Sequence, residues 1–431
     1  MTVVRKLAVL GAGTAAAGTG PAAPWVARRL LPLLAAAALL VIGMLSTVWW
    51  GPAMAGKTAW ALPDDLWGTL AAADRLLHLH LGGLYTQPTG LITLPGAAVI
   101  LVPVVAVADA AGLSLAMQSA HNPQPALWLL AGPYQVALSA VVLFAADAIA
   151  EHLGTPWSRR AVLAAAEAVA LSSVSVRWGH PEDAVAVGLF LYAILALARA
   201  RPHRAAWLAG AAIAIQPLVL LALPVLAMTM PLRRLPGFLV RAAIPAAVAL
   251  GAAAAANWDA TYAAVTRQPN FPAINHPTPW TSFSPHLASG TIAAGPARIV
   301  AILVACGVAV AAGRRWRSAR GAEWDAGTLW DVLWWVAFAL ALRCAFEPVV
   351  VAYYLWPAMA VALLAACRSW SRLLPTAVVA SVLTFVSQVA WHGVWVWWVP
   401  MTALLALTLL LARVPLPWRR LARRGSRVAP G

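Results

Sequence analysis

The chain has 431 residues, 62% of them apolar and only 10% charged, with a mean hydropathy of +0.79. A soluble globular chain is about 45–50% apolar and about 25% charged, so a water-soluble domain, a disordered polymer and a disulfide scaffold are excluded. Thirty basic side chains against 14 acidic ones give a net charge of +16. In a chain this apolar, that charge bears on membrane orientation before it bears on nucleic acid.

Along the chain, Met1–Ala23 carries Arg5 and Lys6 before a run of small residues, in the manner of a signal peptide, but residues 1–30 read better as a cytoplasmic tail. A spanning helix needs about 20 mainly apolar residues, and Leu31–Trp50 supplies the first. Residues 51–92 form a long polar loop. Within it Pro63 and Asp64/Asp65 predict a helix start, with acids at the positive end of the dipole. Leu66, Leu70, Ala73, Leu76, Leu77 and Leu81 then recur at helical spacing and predict an amphipathic helix on the bilayer surface. The adjacent carboxylates have two readings: a helix cap, or a general base with a divalent cation nearby.

Further spans are expected over Leu94–Ala111, Leu127–Ala150, Ala161–Val176, Ala184–Ala198, Phe238–Ala256, Ile292–Ala312, Leu329–Ala345, Val349–Ala366, Leu373–Ala390 and Val394–Ala412. Ala205–Met230 is too long for one span, is broken by Pro217 and Pro224, and has arginines on both flanks. It predicts a hairpin turning near Gln216–Pro217. The chain therefore reads as one integral-membrane domain over residues 1–431, all-α and polytopic, with about 11–13 transmembrane or re-entrant helices.

Arginine clusters fix the expected orientation. Placing Arg5–Lys6, Arg28/Arg29, Arg159/Arg160, Arg199–Arg204, Arg233–Arg241, Arg314–Arg320, Arg368/Arg372 and the 413–431 tail in the cytoplasm accounts for 24 of the 30 basic residues. Both termini are then cytoplasmic. One parity conflict remains: two apolar runs lie between the first loop and Arg159, where an odd number is needed. Either Leu94–Ala111, with Pro95 and Pro103, is re-entrant, or Arg159/Arg160 lie outside.

This orientation gathers seven of the 14 acids (Asp64, Asp65, Asp74, Glu182, Asp183, Asp259 and Glu347) on the outer face, with the second long loop, Asn257–Gly290. His180, Glu182 and Asp183 crowd one turn beside Arg177 and Trp178. They either keep helix ends in water or belong to a site. Arg343, Glu347, Tyr353 and Tyr354 form a second cluster. An arginine at a span end snorkels, or it holds a phosphate with its fork of donors. His276 in Asn275-His-Pro277 reads as a loop histidine on the same face. Cys306, Cys344 and Cys367 lack metal or disulfide spacing and read as small buried hydrophobes. Many of the 23 tryptophans fall at expected interfaces and read as anchors. No glycine-rich phosphate loop and no serine nucleophile elbow is found.

The order of features resembles the GT-C superfamily of membrane glycosyltransferases, most closely the polyprenyl-phosphate-mannose-dependent mannosyltransferases of high-GC bacteria. The resemblance is carried by Asp65-Leu-Trp67, Ala73 and Leu81-Gly-Gly-Leu-Tyr85 in the first loop, by Trp178-Gly-His-Pro-Glu-Asp183, and by Leu208–Pro217 before the hairpin. Gln216 stands where that family often has a lysine. The resemblance implies a bacterial plasma-membrane enzyme and a polyprenyl-phosphate sugar donor. It implies a glycan or glycolipid acceptor and inverting transfer on the extracytoplasmic face. Asp65 or Asp64 would be the base. Arg177 and Arg343 would meet the phosphate, and His180, Glu182, Asp183, Glu347, Tyr353 and His276 would join them in binding substrate. No cofactor is required by the resemblance beyond an open choice of Mg²⁺ or Mn²⁺, and no nucleic acid is involved. The rival reading is a polytopic transporter or lipid flippase, which Asp109, Asp147 and Glu167 in or near apolar runs would serve.

Overall fold

The computed structural model describes residues 24–45, 62–86, 91–115, 125–287, 290–317, 320–389 and 393–415. The signal-like stretch, the end of the first expected span, the start of the first loop and the arginines after Arg413 lie outside the described residues. The chain is α-helical. Its only sheet among the described residues is a two-residue antiparallel pair, β1 (His276–Pro277) with β2 (Val349–Val350). Among the described residues, seven helices are long and apolar enough to cross a membrane: Pro125–His152, Trp157–Trp178, Pro181–Ala198, Leu232–Ala256, Ala297–Trp316, Ala326–Phe346 and Val394–Arg413. Three shorter apolar helices, Leu30–Leu45, Ala352–Ala366 and Trp370–Val386, pack among them.

In chain order, α1 is Leu30–Leu45, α2 Asp64–Leu77, α3 Pro95–Val99 and α4 Val102–Ala110. Helices α5 (Pro125–Ser139) and α6 (Val141–His152) run on as a single span, followed by α7 (Trp157–Ser172), α8 (Pro181–Ala198), α9 (Pro202–Ile215) and α10 (Leu223–Met228). Then come α11 (Leu235–Ala256), α12 (Trp258–Thr266), α13 (Ala297–Gly313), α14 (Ala326–Phe346), α15 (Trp356–Ala366), α16 (Trp370–Val386) and α17 (Val394–Arg413). Two helices occupy the centre. Helix α15 buries every residue, and α8 buries all but Leu189 and Tyr192. An α-helix apolar all round must be enclosed by other helices or by lipid, and these two are enclosed by protein.

The parity conflict is resolved by ion pairs. Arg29 donates to Asp147 at 2.7 Å and to Glu151 at 2.7 Å, Arg160 donates to Asp147 at 2.8 Å, and Arg28 reaches Glu151 at 3.2 Å. Arg28/Arg29 and Arg159/Arg160 therefore stand at the same end, and α3–α4 does not cross. Its ends confirm this. Tyr85 donates to Thr93 O at 3.2 Å ahead of α3, while Trp67 at the start of α2 donates to Leu115 O at 2.6 Å beyond α4. The chain enters and leaves beside α2, as a re-entrant segment. Leu94–Ala111 is thus not a span. Prolines at both helix starts and a break at Ile100–Leu101 interrupt it.

The expected hairpin is present. Helix α9 has 14 residues and rises about 21 Å, short of the roughly 30 Å hydrocarbon core. Gln216 is extended, and Pro217 opens a 3₁₀ turn, Pro217–Leu221, that leads into α10. Met228 O then accepts from Arg320 at 3.2 Å, back at the arginine-rich end. The start of the re-entrant segment meets the tip of the hairpin. A Cβ on Gly96 of α3 would stand 2.3 Å from Ala214 O near the end of α9, so only glycine permits the crossing.

Other boundaries shift from expectation. Val349–Ala366 is not one helix, because Val349 and Val350 pair with the second long loop as β2. Helix α13 begins at Ala297 rather than Ile292, which bridges Asn270 and His286 instead. Within the second long loop, α12 is capped by Asn257, whose side chain accepts from Ala260 N at 3.1 Å. The rest is pinned to the end of α14: Thr278 donates to Glu347 O at 2.8 Å, Trp280 to Ala345 O at 2.7 Å and Thr281 to Pro348 O at 2.6 Å.

Candidate functional site

The end of the bundle opposite Arg28/Arg29 and Arg159/Arg160 collects polar side chains from five chain segments. Helix α2 begins at Asp64 with Pro63 in the cap position and no side-chain cap bond, so capping does not account for Asp65, which sits in the first turn. The side chain of Asp64 lies outside the described residues. The apolar face read from the sequence is the buried one: Leu66, Leu70 and Ala73 are enclosed, while Leu76, Leu77 and Leu81 pack against the same small core. This fixes the rotation of α2 and leaves Asp65 facing the bundle end.

Across from it, α7 ends in a π-helical turn, Ser173–Trp178, a distortion of the kind often found at functional sites. Gly179 follows at φ +68°, and a Cβ there would lie 2.8 Å from Pro63 Cβ. Glycine at this point both takes the left-handed conformation and lets the turn close on α2. His180 is thereby placed between two carboxylates. Its Nε2 is 3.0 Å from Asp65 Oδ2 and its Nδ1 is 2.6 Å from Glu182 Oε1.

An imidazole whose two nitrogens both face carboxylate oxygens uses both as donors and is therefore protonated. Burial by itself would lower the pKa of His180. The adjacent Glu182 and Asp65 charges and hydrogen bonds outweigh it and hold the imidazole well above its ordinary value. Exposure distinguishes the partners: the Glu182 side chain is 3% exposed, His180 12% and Asp65 41%. Asp65 is the most exposed of the three.

A second chain of contacts runs beside the first. Gln216, at the hairpin tip, donates to Asp183 Oδ1 at 2.6 Å and accepts from Thr93 Oγ1 at 2.9 Å. Asp183 is fully buried, and its other oxygen has no hydrogen-bond partner among the described residues. The start of the re-entrant segment, the hairpin tip and the first turn of α8 thus share one polar junction.

Aromatic rings connect this junction to Arg343. Tyr353 stacks on His180 with centroids 4.1 Å apart, contacts Trp178 at 5.7 Å, and meets Tyr354 edge-on at 4.9 Å. The Arg343 guanidinium lies 3.5 Å over the Tyr354 ring. One of its terminal nitrogens is buried without a hydrogen-bond partner, within electrostatic reach of Glu347 and Asp183. Glu347 is instead taken up by Arg298. Arg177 is exposed and forms no ion pair among the described residues. His276 lies in β1 and stacks on Trp397 at 4.0 Å.

The expected residues Asp65, His180, Glu182, Asp183, Tyr353 and Arg343 are therefore brought into linked contact. Glu347 and His276 serve the docking of the second long loop. Sequence reasoning did not select Thr93, Gln388 or Arg298, and took Gln216 only as a departure from a pattern. Gln388 accepts from Trp178 at 3.0 Å and donates to Ser173 at 2.8 Å, steadying the π-helical turn. The available signal was chemical: an isolated glutamine in an apolar run needs a partner. Among the described residues, no group of three His, Cys, Asp or Glu side chains could hold a metal ion. No protein-family model matches the chain, and no curated protein matches it significantly.

Proposed function

We propose that the protein is a membrane glycosyltransferase of GT-C type. It moves a sugar, mannose in the favoured case, from a polyprenyl phosphate to a lipid-linked or cell-envelope glycan. The observation that carries this reading is the half-exposed Asp65 carboxylate aligned by the buried His180–Glu182 pair, in the same polar junction as the partly unsatisfied Arg343. By the positive-inside rule the arginine-rich end faces the cytoplasm of a bacterial plasma membrane, so this junction faces outward.

In this reading Asp65 accepts the proton of the acceptor hydroxyl as its oxygen attacks the anomeric carbon from the face opposite the lipid phosphate. The glycosidic C–O bond to the phosphate breaks, and the configuration inverts. Arg343, desolvated and with a free N–H, stabilises the negative charge arriving on the departing phosphate, and exposed Arg177 attracts the donor. Positioned base catalysis contributes about 10²–10⁴-fold, and preorganised positive charge a comparable or larger factor. His180 positions Asp65 rather than touching the sugar.

Membranes containing the protein, incubated with radiolabelled polyprenyl-phosphate-mannose or polyprenyl-phosphate-arabinose, test this directly. A glycosylated product that disappears in Asp65→Asn supports the reading and names the donor. No transfer from either donor by folded protein would refute it. One observation favours the transporter alternative: Glu167, 1% exposed within α7, has neither carboxylate oxygen paired among the described residues. Asp147 does not add to it, being locked to Arg29 and Arg160.

A further inference from the structure

At the arginine-rich end, a cavity of about 470 Å³ opens between the start of α14, the turn joining α15 to α16 and the end of α17. Arg315, Arg368, Arg372 and Arg413 line it, and Asp331 is the one acid among its described lining residues. That acid is already engaged: it binds Arg413 and accepts from Trp316 Nε1 at 2.9 Å. Arg315 and Arg368 form no ion pair among the described residues. The Nε of Arg372 is buried without an acceptor, and the charges acting on it are those of Arg368 and Arg413, which repel it.

Four guanidinium groups around one pocket, with their single counter-charge shared, are an unbalanced arrangement. A buried N–H without an acceptor adds to it. Residues 416–431 carry five further arginines and no aspartate or glutamate. An anion from outside the chain would balance the pocket. Guanidinium forks match the paired oxygens of a phosphate, and a pocket of this size accommodates a phosphate-bearing headgroup. Basic pockets between helices at the membrane surface suit anionic lipids.

We infer that this cavity binds the phosphate of an anionic ligand at the arginine-rich membrane surface, through Arg315, Arg368 and Arg372, with Asp331 holding Arg413 at its rim. The inference does not rest on the proposed transfer reaction, because the cavity lies at the other end of the bundle. Two sources share this chemistry, a phospholipid headgroup and a soluble phosphate compound.

The test uses the purified full chain in phosphatidylcholine nanodiscs. Phosphatidylglycerol and diphosphatidylglycerol are titrated in one arm and inorganic pyrophosphate in the other, with native mass spectrometry and thermal unfolding as readouts. Arg368 is exposed and Arg204 is exposed outside the cavity, so Arg368→Gln should fold and Arg204→Gln serves as the charge-matched control. Binding should weaken about fivefold in Arg368→Gln and about thirtyfold in Arg368→Gln/Arg372→Gln, and not in the control. Response in the lipid arm identifies a headgroup, and response in the pyrophosphate arm a soluble phosphate. If the double variant does not fold, the single variant decides. Binding equal in Arg368→Gln and Arg204→Gln, or no binding in either arm, overturns the inference.

Discussion

Asp65 and His180 stand 3.0 Å apart although 115 residues separate them. Their contact joins the first turn of α2 to the turn before α8. The apolar face of α2 sets the direction of Asp65, and Gly179 sets the approach of His180. Neither residue reaches the other without both conditions.

If Asp65 is the base, Asp65→Asn should lower turnover by about 10²–10⁴-fold while leaving donor binding nearly intact. His180→Gln should lower it less, because the carboxylate remains and only its alignment is lost. Single-turnover rates with saturating donor would read both. Equal activity of Asp65→Asn and wild type would remove Asp65 from the chemistry.

The protonated state of His180 has a defined pH signature. Its folded pKa is raised, so its ion pairs stabilise fully below the unfolded imidazole value of about 6.5. That stability is lost as pH rises from there through the folded value. The difference in Tm between wild type and His180→Gln should therefore be constant from about pH 5.5 to 6.5 and shrink in alkali. A difference that grows with pH would mean the imidazole is held neutral.

Gly179→Ala combines a left-handed backbone with a Cβ 2.8 Å from Pro63. The expected cost is about 1–3 kcal/mol, with α2 pushed from the turn and the Asp65–His180 contact opened. If the proposed transfer holds, activity should fall further than stability alone explains, measured as kcat at a temperature where the variant is folded. Gly251→Ala, where a Cβ meets open space, is the control.

Gln216 is the only described partner of the Asp183 carboxylate, and Gln216→Leu would leave both oxygens unpaired. A loss of about 1–3 kcal/mol is expected. Gln216→Glu should be worse than Leu, since it sets two carboxylates against each other. Thermal unfolding in detergent checks the order, and an unchanged Tm for both would show that Asp183 finds another donor.

At the other end, Asp147→Ala should destabilise by about 1–3 kcal/mol, less than the roughly 3–5 kcal/mol of a fully enclosed pair. Arg29 and Arg160 are 13% and 12% exposed and regain some hydration. Unfolding by chemical denaturant would measure it. If the protein transfers glycosyl groups as proposed, transfer retained in the folded variant would mark Asp147 as structural.

Composition and periodicity carried much of this protein. Long apolar runs can only be spans or enclosed helices, because an unpaired backbone in hydrocarbon costs too much. The five-residue apolar face of α2, the hairpin at Gln216–Pro217 and the crowding at His180–Asp183 were all legible from spacing and proline chemistry. What sequence left undetermined was every relation between distant segments. Leu94–Ala111 has the composition of a span and is re-entrant, because the ion pairs of Arg29 and Arg160 with Asp147 fix the sides. Glu347 and Asp65 are both acids beside expected helix ends, yet one is buried against Arg298, while the other pairs with His180 and keeps 41% of its side chain exposed. A carboxylate's chemistry depends on which cation or donor packs against it, and that neighbour is supplied by a segment far away in the chain. Sequence by itself determined where the helices and the scarce charges lie. Only the tertiary structure decided which charges are buried in pairs and which stay partly exposed.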